Sequence, residues 1–229
     1  MAIMQRITIC GNSGSGKSTL VGRIRETVLN LEFSISYTTR KPRGAEQNGR
    51  EYFFISRQEF EAMIRNGEFL EYARVFETDY YGTARRFLQK AEDEGSDLLL
   101  DIDVQGAEQI KRKLPNAVSI FIMPPNRSEL ERRLRERSQD SAEVIQRRLE
   151  TARREIENYE KYDYILVNDR LSDSVKALEA ILLSERQKRS GQRDSELLAR
   201  AEICRLDQSR ERLQPILQSF QETAAGGGK

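Results

Sequence analysis

The stretch from Gly11 to Thr19, GNSGSGKST, constrains the fold more than any other part of this chain. Gly11-Asn12-Ser13-Gly14-Ser15-Gly16-Lys17-Ser18 fits G-x-x-x-x-G-K-[ST] without a mismatch. That pattern works in one setting, a strand that feeds a glycine loop opening directly into a helix. The glycines let successive backbone N–H groups turn inward around a phosphate, and the helix adds its positive end. The flanks supply this setting: RITIC, Arg6 to Cys10, reads as a short buried strand, and Leu20, Ile24 and Val28 have helical spacing. In such a loop Lys17 reaches the β and γ phosphates of a nucleotide and the Ser18 hydroxyl is a Mg2+ ligand. Thr19 packs or hydrogen-bonds locally.

Further strands are expected at DLLLDID, VSIFIM and YDYILVND, the first two running into helix candidates. Strands alternating with helices imply right-handed crossovers and a parallel sheet. Between Ser34 and Thr83 the short alternating runs REYFFIS and EFLEYARVF predict an inserted, β-rich subdomain. From Asn126 to about Lys161 the chain reads as two Arg- and Glu-rich helices joined near RSQDS. After Ile181 a long polar helix is expected over RDSELLARAEICRLDQSRERLQPILQSF, bent or ended by Pro215. The final AAGGGK reads as disordered.

Which phosphate chemistry this loop serves is narrowed by composition. The chain has no histidine, which removes Ser-His and Cys-His nucleophiles and histidine metal sites. Positioning and electrostatics remain, the means by which phosphoryl transfer is catalysed. Lys plus Arg is 38 against 37 Asp plus Glu, so no global field points to nucleic acid or a membrane as partner. No apolar run approaches the roughly 18 residues of a membrane span. Two distant cysteines, Cys10 and Cys204, give neither a disulfide framework nor a zinc site, and a reducing, cytoplasmic setting is expected.

Among proteins with such loops, DVQG (Asp103 to Gly106) matches the D-x-x-G element of GTP-hydrolysing switches, but the N-K-x-D element that reads guanine in them is absent. A transporter-type signature is absent as well. A small-molecule kinase needs instead a second anion site and an arginine-rich cover. YTTRKPR sets Arg40 and Arg43 three apart beside Thr38 and Thr39, a receptor for a second phosphate, with Tyr52 and Tyr81 as phenolic donors. Asp101 ends the apolar run Leu98–Leu100, where a second acidic residue helps hold the magnesium shell. Asp101 and Asp103, two apart on an expected strand, point to one face.

SISYTTRKPR, NGREYFFIS, GEFLEYARVF, YYGT, LLLDIDVQGAEQIK, IFIMPP and YDYILVND occur in that order, and together they resemble guanylate kinase, the ATP:GMP phosphotransferase family. The resemblance covers roughly Arg6 to Glu185. It implies an α/β fold of three parts. A P-loop parallel-sheet core would comprise residues 1–34, 84–125 and 161–185, with a GMP-binding insert at 35–83 and a helical lid at 126–160. Residues 186–229 form a helical extension beyond the family's core.

By the same resemblance Arg40, Arg43, Tyr52 and Tyr81 would grip the GMP phosphate. Glu71 would accept hydrogen bonds from guanine N1–H and the 2-amino group, and Asp103 would take the other 2-amino contact. The hydroxyls of Ser36 and Thr83 would meet O6, and a site of such buried polar groups rejects a wrong base by roughly 10⁴–10⁵-fold. Arg133, Arg137 and Arg148 match the lid's phosphate-contacting arginines, and Asn168 matches an adenine-side contact. Lid and insert would close to exclude water. Asn12 stands where the family usually has proline, and the segment 76–80 is one residue longer than the family pattern. Two rivals are a non-catalytic module of the same fold, which would tend to lose Lys17, and a kinase for another phosphorylated acceptor. The tail's apolar residues, among them Leu197, Leu198, Leu213, Ile216 and Phe220, suit self-association through the C-terminal helix and equally suit covering the protein's own core.

Overall fold

The structure, a computed structural model, describes residues 5–75, 78–137 and 140–221, the side chain of Arg137 excepted. In chain order the elements are β1 (Arg6–Gly11), α1 (Lys17–Thr27), β2 (Leu31–Ser34), β3 (Tyr37–Thr38), β4 (Phe53–Phe54), α2 (Arg57–Arg65), β5 (Phe69–Val75), β6 (Asp79–Ala84) and α3 (Arg85–Glu94). They continue with β7 (Asp97–Asp101), α4 (Val104–Lys113), β8 (Val118–Met123), α5 (Arg127–Arg137), α6 (Ala142–Ile156), β9 (Tyr164–Val167), α7 (Leu171–Ser190), α8 (Ser195–Glu202) and α9 (Leu206–Gln221). Two compact units result, one of Met1–Ile9 with Val28–Val118, the other of Cys10–Thr27 with Ser119–Lys229.

In the first unit β2, β7 and β1 pair in parallel, with Leu99 of β7 opposite Phe33 on one side and Ile7 on the other. Leu98, Leu99 and Leu100 are all fully buried, so this central strand reads as a continuous apolar run instead of an alternating one. A second sheet has the order β4-β3-β6-β5. Its antiparallel registers set Thr38 opposite Tyr81 and Glu71 opposite Thr83. The β-rich insert also holds a helix, α2, started by a reciprocal capping box between Ser56 and Glu59. Its Phe60 is fully buried and stacks on Phe69 at 4.3 Å and on Tyr80 at 5.1 Å, which fixes α2 to the sheet. Helix α4 packs along β5.

In the second unit β8 and β9 are parallel, with Phe121 opposite Ile165, and all six residues of β8 are buried. Helix α7 packs against α1, α8 and β9, while α5, α6 and α9 pack on one another. The tail departs from expectation. It is two helices, broken at residues 203–205, and Pro215 lies inside α9 without ending it. The break arises because the chain there joins the edge of β9: Cys204 O accepts from Ile165 N at 2.7 Å, and Leu206 N donates to Asp163 O at 3.1 Å. Pro215 sits on the exposed face of the helix, where a distorted backbone hydrogen bond costs least. Leu213, Ile216 and Phe220 hold both halves of the helix down, buried within this chain. That answers the second of the two uses suggested for the tail's apolar stripe. No described helix is long and apolar enough to cross a membrane.

Candidate functional site

The glycine loop lies in the second unit, between β1 and α1, as the motif requires. Gly14 and Gly16 have φ of +90° and +88°, the left-handed region in which glycine alone is unstrained. Space is the second reason. A Cβ on Gly14 would stand 2.9 Å from the Leu130 and Leu134 side chains, and one on Gly16 would collide with Asn168 Nδ2. Ser15 is fully buried; its N–H donates to Asn12 O at 3.0 Å, closing the loop's turn. Lys17 opens α1, and the Ser18 and Thr19 side chains that follow are exposed.

Several residues brace this loop from outside. Asn168, 5% exposed at the end of β9, donates its amide to Ser15 O at 2.7 Å. The structure therefore gives Asn168 a bracing contact on the loop backbone beside the adenine contact expected of it. Asn12 donates from Nδ2 to Ala152 O at 3.1 Å and to Glu155 Oε2 at 2.9 Å, tying the loop to α6 in place of a proline ring. Ser13 Oγ accepts from Arg148 at 2.6 Å, and Arg148 also pairs with Asp140 at 2.6 Å. Arg133 points back to the loop: it pairs with Glu129 at 2.7 Å and lies 3.5 Å from Ser15 O. Hydrogen bonds from Arg132 and then Arg133 hold the Glu129 carboxyl down at about 2. Arg137 ends α5, and its side chain lies outside the described residues.

The residues expected to form a second anion site lie in the first unit. Arg40 is 8% exposed and almost fully engaged. Its Nε donates to Tyr81 Oη at 3.1 Å, Nη1 to Lys41 O at 2.7 Å, and both Nη atoms to Glu46 at 2.9 and 3.1 Å. The guanidinium also stands 5.3 Å over the Tyr52 ring, which meets the Tyr81 ring edge-on at 5.8 Å. Arg43 is exposed, and its N–H donates to Glu46 at 2.8 Å. Arg40, Arg43, Tyr52 and Tyr81 are thus brought together around Glu46. The sequence reading gave Glu46 no role, because what it does is hold another side chain.

Beside this cluster, on β5, Glu71 is 3% exposed. Burial pushes its carboxyl up to about 7, the neighbouring Asp103 adds to the rise, and Thr83 and Lys113 pull it down. Thr83 Oγ1 is itself buried and reaches no partner with good hydrogen-bond geometry. Asp103 differs from expectation. Strand β7 ends at Asp101, and Asp103 is the N-cap of α4, its Oδ1 accepting from Gly106 N at 2.7 Å. Strand alternation fails there because a capping carboxylate starts the helix first. Asp101, half-buried, holds the carboxyl end of β7, and Ser36, half-buried, lies just before β3. The segment whose length departs from the family pattern includes residues 76–77, which lie outside the described residues, while on β6 Tyr81 pairs with Ala73 and Thr83 with Glu71, the latter beside a register shift between Phe69 and Glu71.

Comparison with known proteins fits these two half-sites. The family model "Guanylate kinase" matches residues 3–185. A guanylate kinase of Koribacter versatilis is 54% identical over 221 residues, covering 93% of this chain and 94% of that relative. One from Vibrio parahaemolyticus is 47% identical over 182 residues, covering 79% of this chain and 87% of its own length. The crystal structure of guanylate kinase from Anaplasma phagocytophilum superposes with a TM-score of 0.67 at 35% identity, over 80% of this chain and 87% of that one. By family model, sequence and fold alike, this chain belongs to the guanylate kinase family.

Proposed function

We propose that this chain transfers the γ-phosphoryl group of ATP to GMP, giving ADP and GDP, with ATP on the glycine loop of the second unit and GMP on the insert of the first. The observation that carries the acceptor's identity is Glu71, a buried carboxyl beside Asp103 and the hydroxyl of Thr83. Guanine offers two adjacent donors, N1–H and the 2-amino group, next to one acceptor, O6. Two carboxylates with hydroxyls complement that edge, whereas adenine presents an acceptor at N1. Asp103 and Ser36 complete the set.

Arg43 and the remaining N–H of Arg40 are the donors for the GMP phosphate, with Tyr52 and Tyr81 as phenolic partners. Glu46 holds Arg40 and the loop before it in place. The attacking oxygen belongs to the GMP phosphate, which is ionised at neutral pH, so no general base is required. Lys17 and the loop's N–H groups hold the β and γ phosphates. Arg133, Arg137 and Arg148 neutralise charge that spreads over the transferred group, a role worth roughly 10³–10⁵ in rate for an arginine so placed. Ser18 and Asp101 are the residues that would hold Mg2+ with ATP, and the ion would supply positive charge to the phosphates. The donors offered to it, Ser18 Oγ and the Asp101 carboxylate, are the hard oxygens it selects. Purine nucleotide metabolism and the cytoplasm are the setting these substrates and two buried cysteines outside any disulfide suit.

ADP formation from Mg-ATP with GMP, AMP, CMP, UMP or no acceptor tests this function. Turnover is expected with GMP alone, and Lys17→Ala should abolish it. Binding of GMP without ADP formation would favour the non-catalytic module, and turnover with another acceptor would overturn the role given to the insert.

A further inference from the structure

Gly106 is the third residue of α4, in ordinary helical backbone, so no left-handed φ calls for glycine there. Within a helix glycine is less favourable than alanine, which leaves space as the reason for it. A Cβ at this position would stand 2.5 Å from Glu71 Oε2, 3.0 Å from Glu71 Cδ and 3.3 Å from Asp103 Oδ1. The Glu71 carboxylate therefore lies directly on the Cα of Gly106. The same residue donates its N–H to Asp103 Oδ1 at 2.7 Å.

We infer that Gly106 is a positioning residue for guanine recognition, seating the Glu71 carboxylate by the absence of a side chain and the Asp103 carboxylate by its N–H. Both acids assigned to guanine's donors are thereby referenced to a single residue. The first turn of α4 suits them, since a helix N-terminus favours negative charge. Lys113, from the far end of the same helix, donates to Leu70 O at 2.6 Å and places a positive charge near Glu71. A methyl group on Gly106 meets the free end of a side chain instead of backbone. Gly106→Ala should fold, and its effect should be to push the Glu71 carboxylate off its seat.

The inference rests on the proposed role of Glu71 in binding guanine, and the test separates the two. Steady-state kinetics would compare GMP with inosine monophosphate, which lacks the 2-amino group, in Gly106→Ala, Glu71→Gln, Glu71→Ala and Gly106→Ala/Glu71→Ala. Gly106→Ala should raise KM for GMP about tenfold or more and shrink the preference for GMP over inosine monophosphate, with KM for ATP unchanged. In the Glu71→Ala background, where the carboxylate no longer competes for the space, adding Gly106→Ala should change KM for GMP by less than about twofold. Gly106→Ala/Glu71→Asp should recover part of the preference, because the shorter acid retracts from the methyl. If Gly106→Ala fails to fold, recovery of the fold in the Glu71→Ala double variant would still identify Glu71 as what the methyl meets. A Gly106→Ala protein with unchanged KM and preference, or losses that add fully in the double variant, would overturn the inference alone. An unchanged preference in Glu71→Gln would overturn the role of Glu71 and this inference with it.

Discussion

Glu71 is the residue on which the proposed recognition of guanine rests. It is 3% exposed and its carboxyl is pushed up to about 7, by burial first and then by the nearby Asp103. Only the ionised form accepts both guanine donors. KM for GMP should therefore rise as pH falls from 8 to 6, approaching tenfold per unit below 7, and in Glu71→Gln the dependence should flatten. Stability moves the opposite way. A carboxyl whose folded pKa lies above its ordinary value binds its proton more tightly when folded, so its contribution is fully present below about 4.5 and lost as pH rises through about 7. At pH 8 the buried charge costs roughly 3 kcal/mol. Glu71→Gln should accordingly raise Tm at pH 8 and leave it nearly unchanged at pH 5; equal shifts at both would contradict this account. Asn168 makes a second case. Its amide holds Ser15 O at 2.7 Å beneath the space that Gly16 leaves open. Asn168→Ala should cost about 1–3 kcal/mol in a denaturant titration and raise KM for ATP while leaving KM for GMP as it was.

Elements were legible where local sequence decides them and illegible where a distant strand does. The glycine loop, the strand before it and the helix after it fall where the motif sets them, because glycine spacing and apolar periodicity are local properties. The break at residues 203–205 is not local: it follows from pairing with the edge of β9, about 40 positions earlier, which no helical pattern can signal. Asp103 and α2 were readable in principle. An acid just before a new helix is a capping position, and Ser56 followed three residues on by Glu59 marks a helix start within an otherwise β-rich segment. The tail's helix α9 carries its own prediction. Ser219 Oγ accepts from Arg127 N at 3.1 Å, at the start of α5, and Leu213 is fully buried in the same unit. Leu213→Ala should lower stability by about 2–5 kcal/mol. Ser219→Ala should cost about 1 kcal/mol, the usual worth of a helix-start cap. Thermal denaturation checks both, and a neutral Leu213→Ala would mean that α9 is not a structural part of the second unit.

At the scale of the whole molecule the division of labour is plain. One unit carries the glycine loop with Arg133 and Arg148 turned toward it, and the other carries the buried Glu71 and the arginine cluster around Arg40, the residues proposed above to take ATP and GMP. The Koribacter versatilis relative matches 93% of this chain, against 79% for that of Vibrio parahaemolyticus, so its likeness runs on into the helices beyond residue 185. The proposed site residues were chosen because phosphate and guanine each demand particular side chains at fixed spacing. Glu46 and Gly106 were not, because one acts by holding another side chain and the other by what it lacks.

The most direct test of the account is a competition. Purified protein would be given Mg-ATP labelled in its γ-phosphoryl group with equal amounts of GMP, AMP, CMP and UMP, and the labelled products separated. The account predicts label in GDP, one for each ADP formed from ATP, with none in the other diphosphates. Label in another diphosphate, or released as free phosphate in GMP's presence, would contradict it.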